Sequence, residues 1–174
     1  MSQFVQIVRC DHQIKRGNQS FDRVGLFDRD GVLNVDHGYV FEKDRFEWVE
    51  GSKDVLLHCR ERGYGVGVVT NQSGIGRGYY SERAFLDLME WVAGEVGIDL
   101  VVYCPHAPEA DCPGRKPGVR MVQMALDYFG VSGDQAFLIG DKATDLEAAS
   151  AAGVRAKRFV GGDLREAFKD LGIS

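Results

Sequence analysis

Short apolar runs alternate along this chain with longer segments of helical period, and that alternation restricts it to very few architectures. Val24-Gly25-Leu26-Phe27 stops at an acidic, glycine-containing turn, and residues 66–69 stop at Thr70-Asn71-Gln72. Residues 100–103 end at Cys104-Pro105, residues 136–139 end at Gly140-Asp141, and residues 156–160 read as a fifth run. Runs of this length between turn residues read as buried strands. Between them, apolar residues recur at helical spacing over 52–62, 81–96, 117–129 and 144–152, with Ser81 placed to cap its helix. Strand and helix in turn predict an α/β fold: a doubly wound, mostly parallel sheet with helices on both faces. Ligands bind such sheets beyond the carboxyl ends of the strands, so the loops after Phe27, Val69, Tyr103 and Ile139 should open onto one crevice.

The 174 residues suffice for one domain with its own core, and 44% apolar with 27% charged residues suits a packed globular chain. No stretch approaches the roughly 20 apolar residues of a membrane span, and no secretory leader pattern is visible, so a cytoplasmic monomer with no membrane partner is expected. A net charge of -5 argues against a nucleic-acid partner, which needs many cationic contacts to phosphate. Residues 1–22 stand outside the alternation and read as an N-terminal extension, either carrying a short edge strand over residues 4–8 or forming a mobile arm. Residues 23–174 then make up the functional domain.

In Asp28-Arg29-Asp30-Gly31, two carboxylates leave the end of a strand, and an extended backbone aims both to the same side. Like charges so close require a cation between them or a proton on one. Either arrangement serves phosphoryl transfer, although a lone motif of this kind also occurs in ordinary turns. The other loops add weight. Thr70, Asn71, Gln72 and Ser73 supply hydroxyl and amide groups of the kind that hold phosphate oxygens, Arg115 and Lys116 add cations ahead of a helix, and Asp141 stands beside Lys142. Asp145, one helical turn after Asp141, either orients Lys142, reaches a metal through water, or is a solvated first-turn acid.

D-x-D-G, a threonine after the second main strand, a lysine before a helix and G-D-K-x-x-D together resemble the four motifs of the haloacid-dehalogenase phosphatases. The resemblance spans roughly residues 24–160. It implies a haloacid-dehalogenase-like, Rossmann-type sheet and a magnesium-dependent phosphomonoesterase. Asp28 would be the nucleophile and Asp30 the general acid and then base. Thr70 and Lys116 would hold phosphate, and Asp28, Asp141 and the backbone carbonyl of Asp30 would ligate magnesium. A covalent aspartyl phosphate divides a hydrolysis that can need about 10²¹-fold acceleration into two easier steps.

Asp36-His37-Gly38-Tyr39-Val40 and the Cys104-Pro105-His106 loop are similar, more narrowly, to the D-glycero-D-manno-heptose 1,7-bisphosphate 7-phosphatases. That resemblance implies a phosphorylated sugar as substrate, serving nucleotide-activated heptose and bacterial surface polysaccharide. Asp36, His37, Gly38 and Tyr39 would face sugar hydroxyls, with His37 and Tyr39 alternatively serving as packing. Histidinol-phosphate phosphatases are a second match, and a phosphoacceptor receiver module a rival of another class, against which Asp30 argues. About forty residues separate Asp28 from Thr70, with a similar interval to Lys116, so no large cap domain fits and an open site is expected.

One loop departs from the pattern. Those relatives carry C-x-H and then C-x-C-R-K-P around zinc, whereas this chain has Cys104, His106 and Cys112 with Gly114 at the fourth position. Water, Asp111 or Glu109 remain as fourth ligands, and a cysteine at Gly114 would restore the pattern. Three ligands close a structural zinc site poorly, so little or no zinc is expected, with prolines stiffening the loop instead.

Overall fold

The computed structural model describes residues 4–173 and shows a six-stranded, wholly parallel sheet in the order β1-β4-β3-β2-β5-β6. The strands are β1 (Gln6–Arg9), β2 (Val24–Phe27), β3 (Gly65–Asn71), β4 (Leu100–Cys104), β5 (Ala136–Gly140) and β6 (Arg155–Arg158). The four inner strands, β4, β3, β2 and β5, are buried almost throughout, as expected of parallel strands covered on both faces. Helices α1 (Ser52–Glu61), α3 (Glu82–Val96) and α6 (Leu164–Asp170) cover one face, α4 (Arg120–Phe129) and α5 (Ala143–Ala151) the other, and a single turn, α2 (Ser73–Gly76), follows β3. Alternate side chains of β2 divide between the two cores: Phe27 packs with Val55, Phe85 and Phe168, whereas Val24 and Leu26 pack with Met121, Phe129 and Ala148.

The strand order reverses at β2, whose neighbours are β3 on one side and β5 on the other. That switch point opens a crevice at the carboxyl end of the sheet. Asp28 sits there, its N–H donating to the Ile139 carbonyl at 3.0 Å and so continuing the β2–β5 ladder by one residue. No further domain is inserted after β2 or β3 among the described residues, where a 3-10 turn (Lys43–Arg45) and α2 fill the space of a cap.

Several boundaries differ from the sequence reading. The helix expected from residue 117 begins at Arg120, because residues 115–118 close a turn in which the Gly118 N–H donates to the Arg115 carbonyl at 2.7 Å. Helix α6 was not anticipated. Its signals are an N-cap, Asp163, whose side chain accepts from the Arg165 N–H, and Leu164, Ala167 and Phe168 at helical spacing.

Residues 6–21 are drawn onto the domain, and residues 1–3 of the expected extension lie outside the described residues. β1 pairs in parallel with β4, and the chain then runs beneath α4, where the Gly17 N–H donates to the Tyr128 carbonyl at 2.8 Å. Phe21 meets Phe129 edge to face, with centroids 5.5 Å apart. Phe129 is only 1% exposed, so Phe129→Ala removes a ring shared by α4, β3 and this segment and should destabilise the protein by about 3–5 kcal/mol. Phe4→Ala, at a residue 91% exposed, should change stability by less than about 0.5 kcal/mol. Urea unfolding of the two variants makes the comparison, and equal effects would count against the packing described.

Candidate active site

Three strand ends and one loop deliver the site. Asp28 follows β2, Thr70 and Asn71 end β3, Asp141 follows β5, and Lys116 lies on the loop between β4 and α4. Lys116 is 3% exposed, and its ammonium lies 3.2 Å from Asp28 Oδ1 and 2.5 Å from Asp145 Oδ1, while donating to the Val69 carbonyl at 2.8 Å. Burial disfavours its charged form, but Asp28 and Asp145 outweigh that and raise its pKa. Asp28 is itself pushed up to about 7, first by burial and then by Asp145, Asp30 and Asp141, with Lys116 opposing. A buried site holding this many carboxylates around one lysine calls for further positive charge.

The residues present fit a divalent cation. Asp28, Asp141 and Asp145 bring ligand atoms within 4.8 Å of one another, and Asp141 Oδ1 is buried without a hydrogen-bond partner. Burial, then the neighbouring Asp145, raises the Asp141 pKa, a strain that a cation would relieve. Both oxygens of Asp145 are already engaged, one by Lys116 and the other by the Lys142 N–H at 3.0 Å. Asp145 is 1% exposed, so the solvated first-turn acid is excluded: it holds Lys116 in place. Gly31 has φ +82, and a side chain there would run into the Asp141 carboxylate, so the turn needs glycine on both counts.

Asp30 occupies a different electrostatic setting. It accepts from Arg29 Nη2 at 2.6 Å, Asn34 Nδ2 at 3.1 Å and Gln72 Nε2 at 3.0 Å. Burial acts to raise its pKa, but Arg29 and these donors prevail and lower it. Arg29 is fully buried, donates also to the Val40 carbonyl at 2.6 Å, and lies over the Phe85 ring. In the sequence it is only the variable residue of D-x-D-G, although a cation set between two carboxylates is a usable signal. Adjacent acids are thus driven apart: Asp28 upward, Asp30 downward.

A cavity of about 400 Å³ opens over these groups. Asp28, Asp30 and Lys116 form its floor, and Arg115 and Lys142 bring two further cations to its wall. Asp36, Gly38 and Tyr39 line it as well, Tyr39 at φ +51 with its ring edge-on to Tyr79 at 4.8 Å. His37 does not line it; its ring Nε2 lies 2.7 Å from Glu47 on the exposed side of the loop. Thr70 is fully buried behind the cavity, its hydroxyl accepting from Gln72 Nε2 at 2.8 Å. Asn71, Gln72 and Ser73 reach the wall, but two are committed elsewhere. The Asn71 amide pairs with the backbone N–H and carbonyl of Lys116 at 3.0 and 3.2 Å, and Gln72 accepts from the Tyr80 hydroxyl at 2.6 Å. Tyr80 and Thr144 line the cavity without having been anticipated. A larger cavity of about 640 Å³ lies toward the opposite ends of the strands, against Phe4, Ile14 and Tyr128; it contains none of these carboxylates, and its one acid is Asp99.

The cysteine loop adjoins the site, with Arg115 Nη1 donating to the His106 carbonyl at 3.3 Å. Cys104, His106 and Cys112 do converge, but neither Asp111 nor Glu109 joins them. Glu109 turns outward to Arg77 at 3.3 Å, and the fourth member of the cluster is Cys10, at the end of β1.

Comparison with known proteins agrees with this geometry. The family model described as polynucleotide kinase 3 phosphatase matches residues 23–165. The D-glycero-beta-D-manno-heptose-1,7-bisphosphate 7-phosphatase of Haemophilus ducreyi is 43% identical over 78% of this chain and 81% of its own. The enzyme of the same name from Escherichia coli is 41% identical over 78% and 77%. Among solved structures, the D,D-heptose 1,7-bisphosphate phosphatase of B. bronchiseptica, complexed with magnesium and phosphate, superposes with a TM-score of 0.73 at 28% identity, covering 87% of this chain and 88% of that one. A sheet of this topology, an aspartate pair at its switch point and relatives this similar lead to one conclusion: the chain belongs to the D-glycero-β-D-manno-heptose-1,7-bisphosphate 7-phosphatase family of haloacid-dehalogenase phosphatases.

Proposed function

We propose that this protein hydrolyses the 7-phosphate of D-glycero-D-manno-heptose 1,7-bisphosphate with magnesium, through a phosphorylated Asp28, in the synthesis of nucleotide-activated heptose for bacterial surface polysaccharide. The observation that carries the reading is the Asp28 carboxylate at the floor of an open cavity, 3.2 Å from a buried lysine and beside Asp141, whose Oδ1 is buried and unpaired. Asp28, Asp141 and the Asp30 carbonyl would hold magnesium, which offsets negative charge on the transferring phosphoryl group.

The chain's own groups divide the remaining work. Asp28 Oδ1 accepts from the Arg29 N–H at 2.8 Å and faces Lys116, leaving Oδ2 as the attacking oxygen. Lys116, kept charged by Asp145, stabilises the equatorial oxygens in transfer. Asp30 protonates the leaving sugar oxygen and later takes a proton from the water that opens the aspartyl phosphate. Its three donors favour the carboxylate, the form required in the second step; the negative charge of an arriving phosphate raises its proton affinity for the first. Arg115 and Lys142 at the wall suit the second phosphate of a bisphosphate, and the Tyr39 loop offers the sugar a phenol and a carboxylate.

Asp28→Asn should abolish turnover while circular dichroism and melting stay near wild type, since the side chain keeps its volume; a folded variant that still turns over would rule out covalent catalysis by Asp28. Asp30→Asn should slow hydrolysis of alkyl phosphates by about 10²–10⁴-fold. With a nitrophenyl leaving group, which departs unaided, single-turnover phosphorylation should lose much less, and equal losses would remove Asp30 from the acid role. Phosphate release from the β and α anomers of the heptose bisphosphate, histidinol phosphate and a nucleotide monophosphate tests the substrate. The β anomer, for which the relatives are named, should have the highest kcat/KM. Preference for histidinol phosphate would replace this reading.

A further inference from the structure

The geometry points to a zinc site that this chain completes with Cys10 of the edge-strand segment, in place of the cysteine its relatives carry at position 114. The sulfurs of Cys10, Cys104 and Cys112 and a ring nitrogen of His106 lie within 4.8 Å of one another. Two edges of that cluster can be compared with tetrahedral zinc. With Zn–S bonds of about 2.3 Å and Zn–N bonds of about 2.0–2.1 Å, neighbouring sulfurs should stand about 3.8 Å apart and sulfur and nitrogen about 3.6 Å. Cys10 Sγ lies 3.8 Å from Cys112 Sγ, and Cys104 Sγ lies 3.6 Å from His106 Nδ1. Cys10 and Cys104 are fully buried, and no disulfide joins any of the four cysteines.

Position 114 explains why the ligand moved. A side chain on Gly114 would place its Cβ 2.6 Å from both Cβ and Sγ of Cys10, nearer than such atoms approach. Cys10 and a residue larger than glycine at 114 therefore exclude one another: the place of the loop's missing cysteine is taken by one that is 102 residues from Cys112 in sequence. A cysteine at Gly114, which the sequence alone presents as a repair, collides with the ligand already there.

The same segment supplies an outer partner. Asp11, next to Cys10, lies 3.7 Å from His106 Nε2, so the imidazole turns Nδ1 toward the sulfurs and Nε2 toward a carboxylate. Zinc-bound histidines are oriented by carboxylates in this way. Asp11 is gripped by Arg9 through two bonds of 3.1 and 3.0 Å. The Cys10 carbonyl is held by Arg120 at the start of α4, and its N–H donates to the Tyr103 carbonyl at 2.8 Å. Metal here ties β1 to the loop that carries Arg115 and Lys116, so the sheet edge and the phosphate-binding lysine become one unit.

Full-length protein purified under reducing conditions without added metal should contain about one zinc per chain. X-ray absorption at the zinc edge should count three sulfur neighbours and one nitrogen; two sulfurs, no zinc, or a Cys10–Cys112 disulfide in zinc-free protein would overturn the inference whatever the phosphatase activity. Cys10→Ser should weaken retention against a chelator by more than the roughly 10–100-fold that loss of an outer partner costs, and Asp11→Asn by about that amount. Gly114→Cys alone should not tighten retention. The double variant C10G/G114C, which removes the Cβ and Sγ that a side chain at 114 would meet, should recover it by moving the fourth thiolate back into the loop, and wild-type retention in Cys10→Ser would exclude Cys10 as a ligand. Zinc content is read separately from turnover, so failure here leaves the magnesium-dependent reading standing.

Discussion

Lys116 sits between the carboxylates of Asp28 and Asp145 where water scarcely reaches, and the other polar groups of the cavity floor are arranged around that contact. Burying an ammonium and two carboxylates costs several kcal/mol per ion unless each is paired in good geometry. Here the pairing joins three segments far apart in sequence: the end of β2, the loop before α4 and the first turn of α5. The triad retains a surplus negative charge that Asp141 enlarges. A surplus of this kind suits a cation such as the magnesium proposed above, and a structural ion network with balanced charge would not leave it.

Much of the polar chemistry that looks directed at substrate is instead spent on holding these charges still. Asn71 clamps the backbone of Lys116 on both sides, and Gln72 lies between Asp30, Thr70 and Tyr80. Arg29 crosses beneath the motif from Asp30 to the Val40 carbonyl. Tethers of this kind stop the Asp28 and Asp30 carboxylates from repelling one another out of position, and the in-line attack proposed for Asp28 would depend on placement to within fractions of an ångström. The same tethers keep neighbouring aspartates in different protonation regimes, which one motif must do if it is to supply both a nucleophile and a proton carrier.

The wall of the cavity is built more loosely. Tyr39 and Asp36 stand on an exposed turn, anchored where the Gly38 N–H donates to Asp36 and where Arg45 donates to the His37 carbonyl. With no inserted cap domain among the described residues, this turn and the single helical turn after β3 are what face a substrate above the floor. In the proposed reading, substrate choice would rest on these few side chains around the charged floor, and the positive φ at Tyr39 is a local strain of the kind found at binding loops.

Apolar runs that end at polar loops, alternating with helical segments, were by themselves sufficient for the parallel sheet, its crevice and the placing of Asp28, Asp30, Lys116 and Asp141 at strand ends and loops. Period and strand direction are local properties, so a linear chain displays them. The short helix α6 was missed because one capped turn and a half carries little periodic signal. Only the tertiary structure decided where a side chain spends its hydrogen bonds: Asp145 toward Lys116 rather than solvent, Asn71 onto a backbone, His37 toward Glu47 and away from the cavity. It alone brought Cys10 to the loop cysteines, across 102 residues from Cys112, because β1 pairs beside β4 and so ends next to Cys104. Contacts of that range are set by strand register and by which groups exclude one another from the same volume, and neither leaves a trace in local sequence pattern.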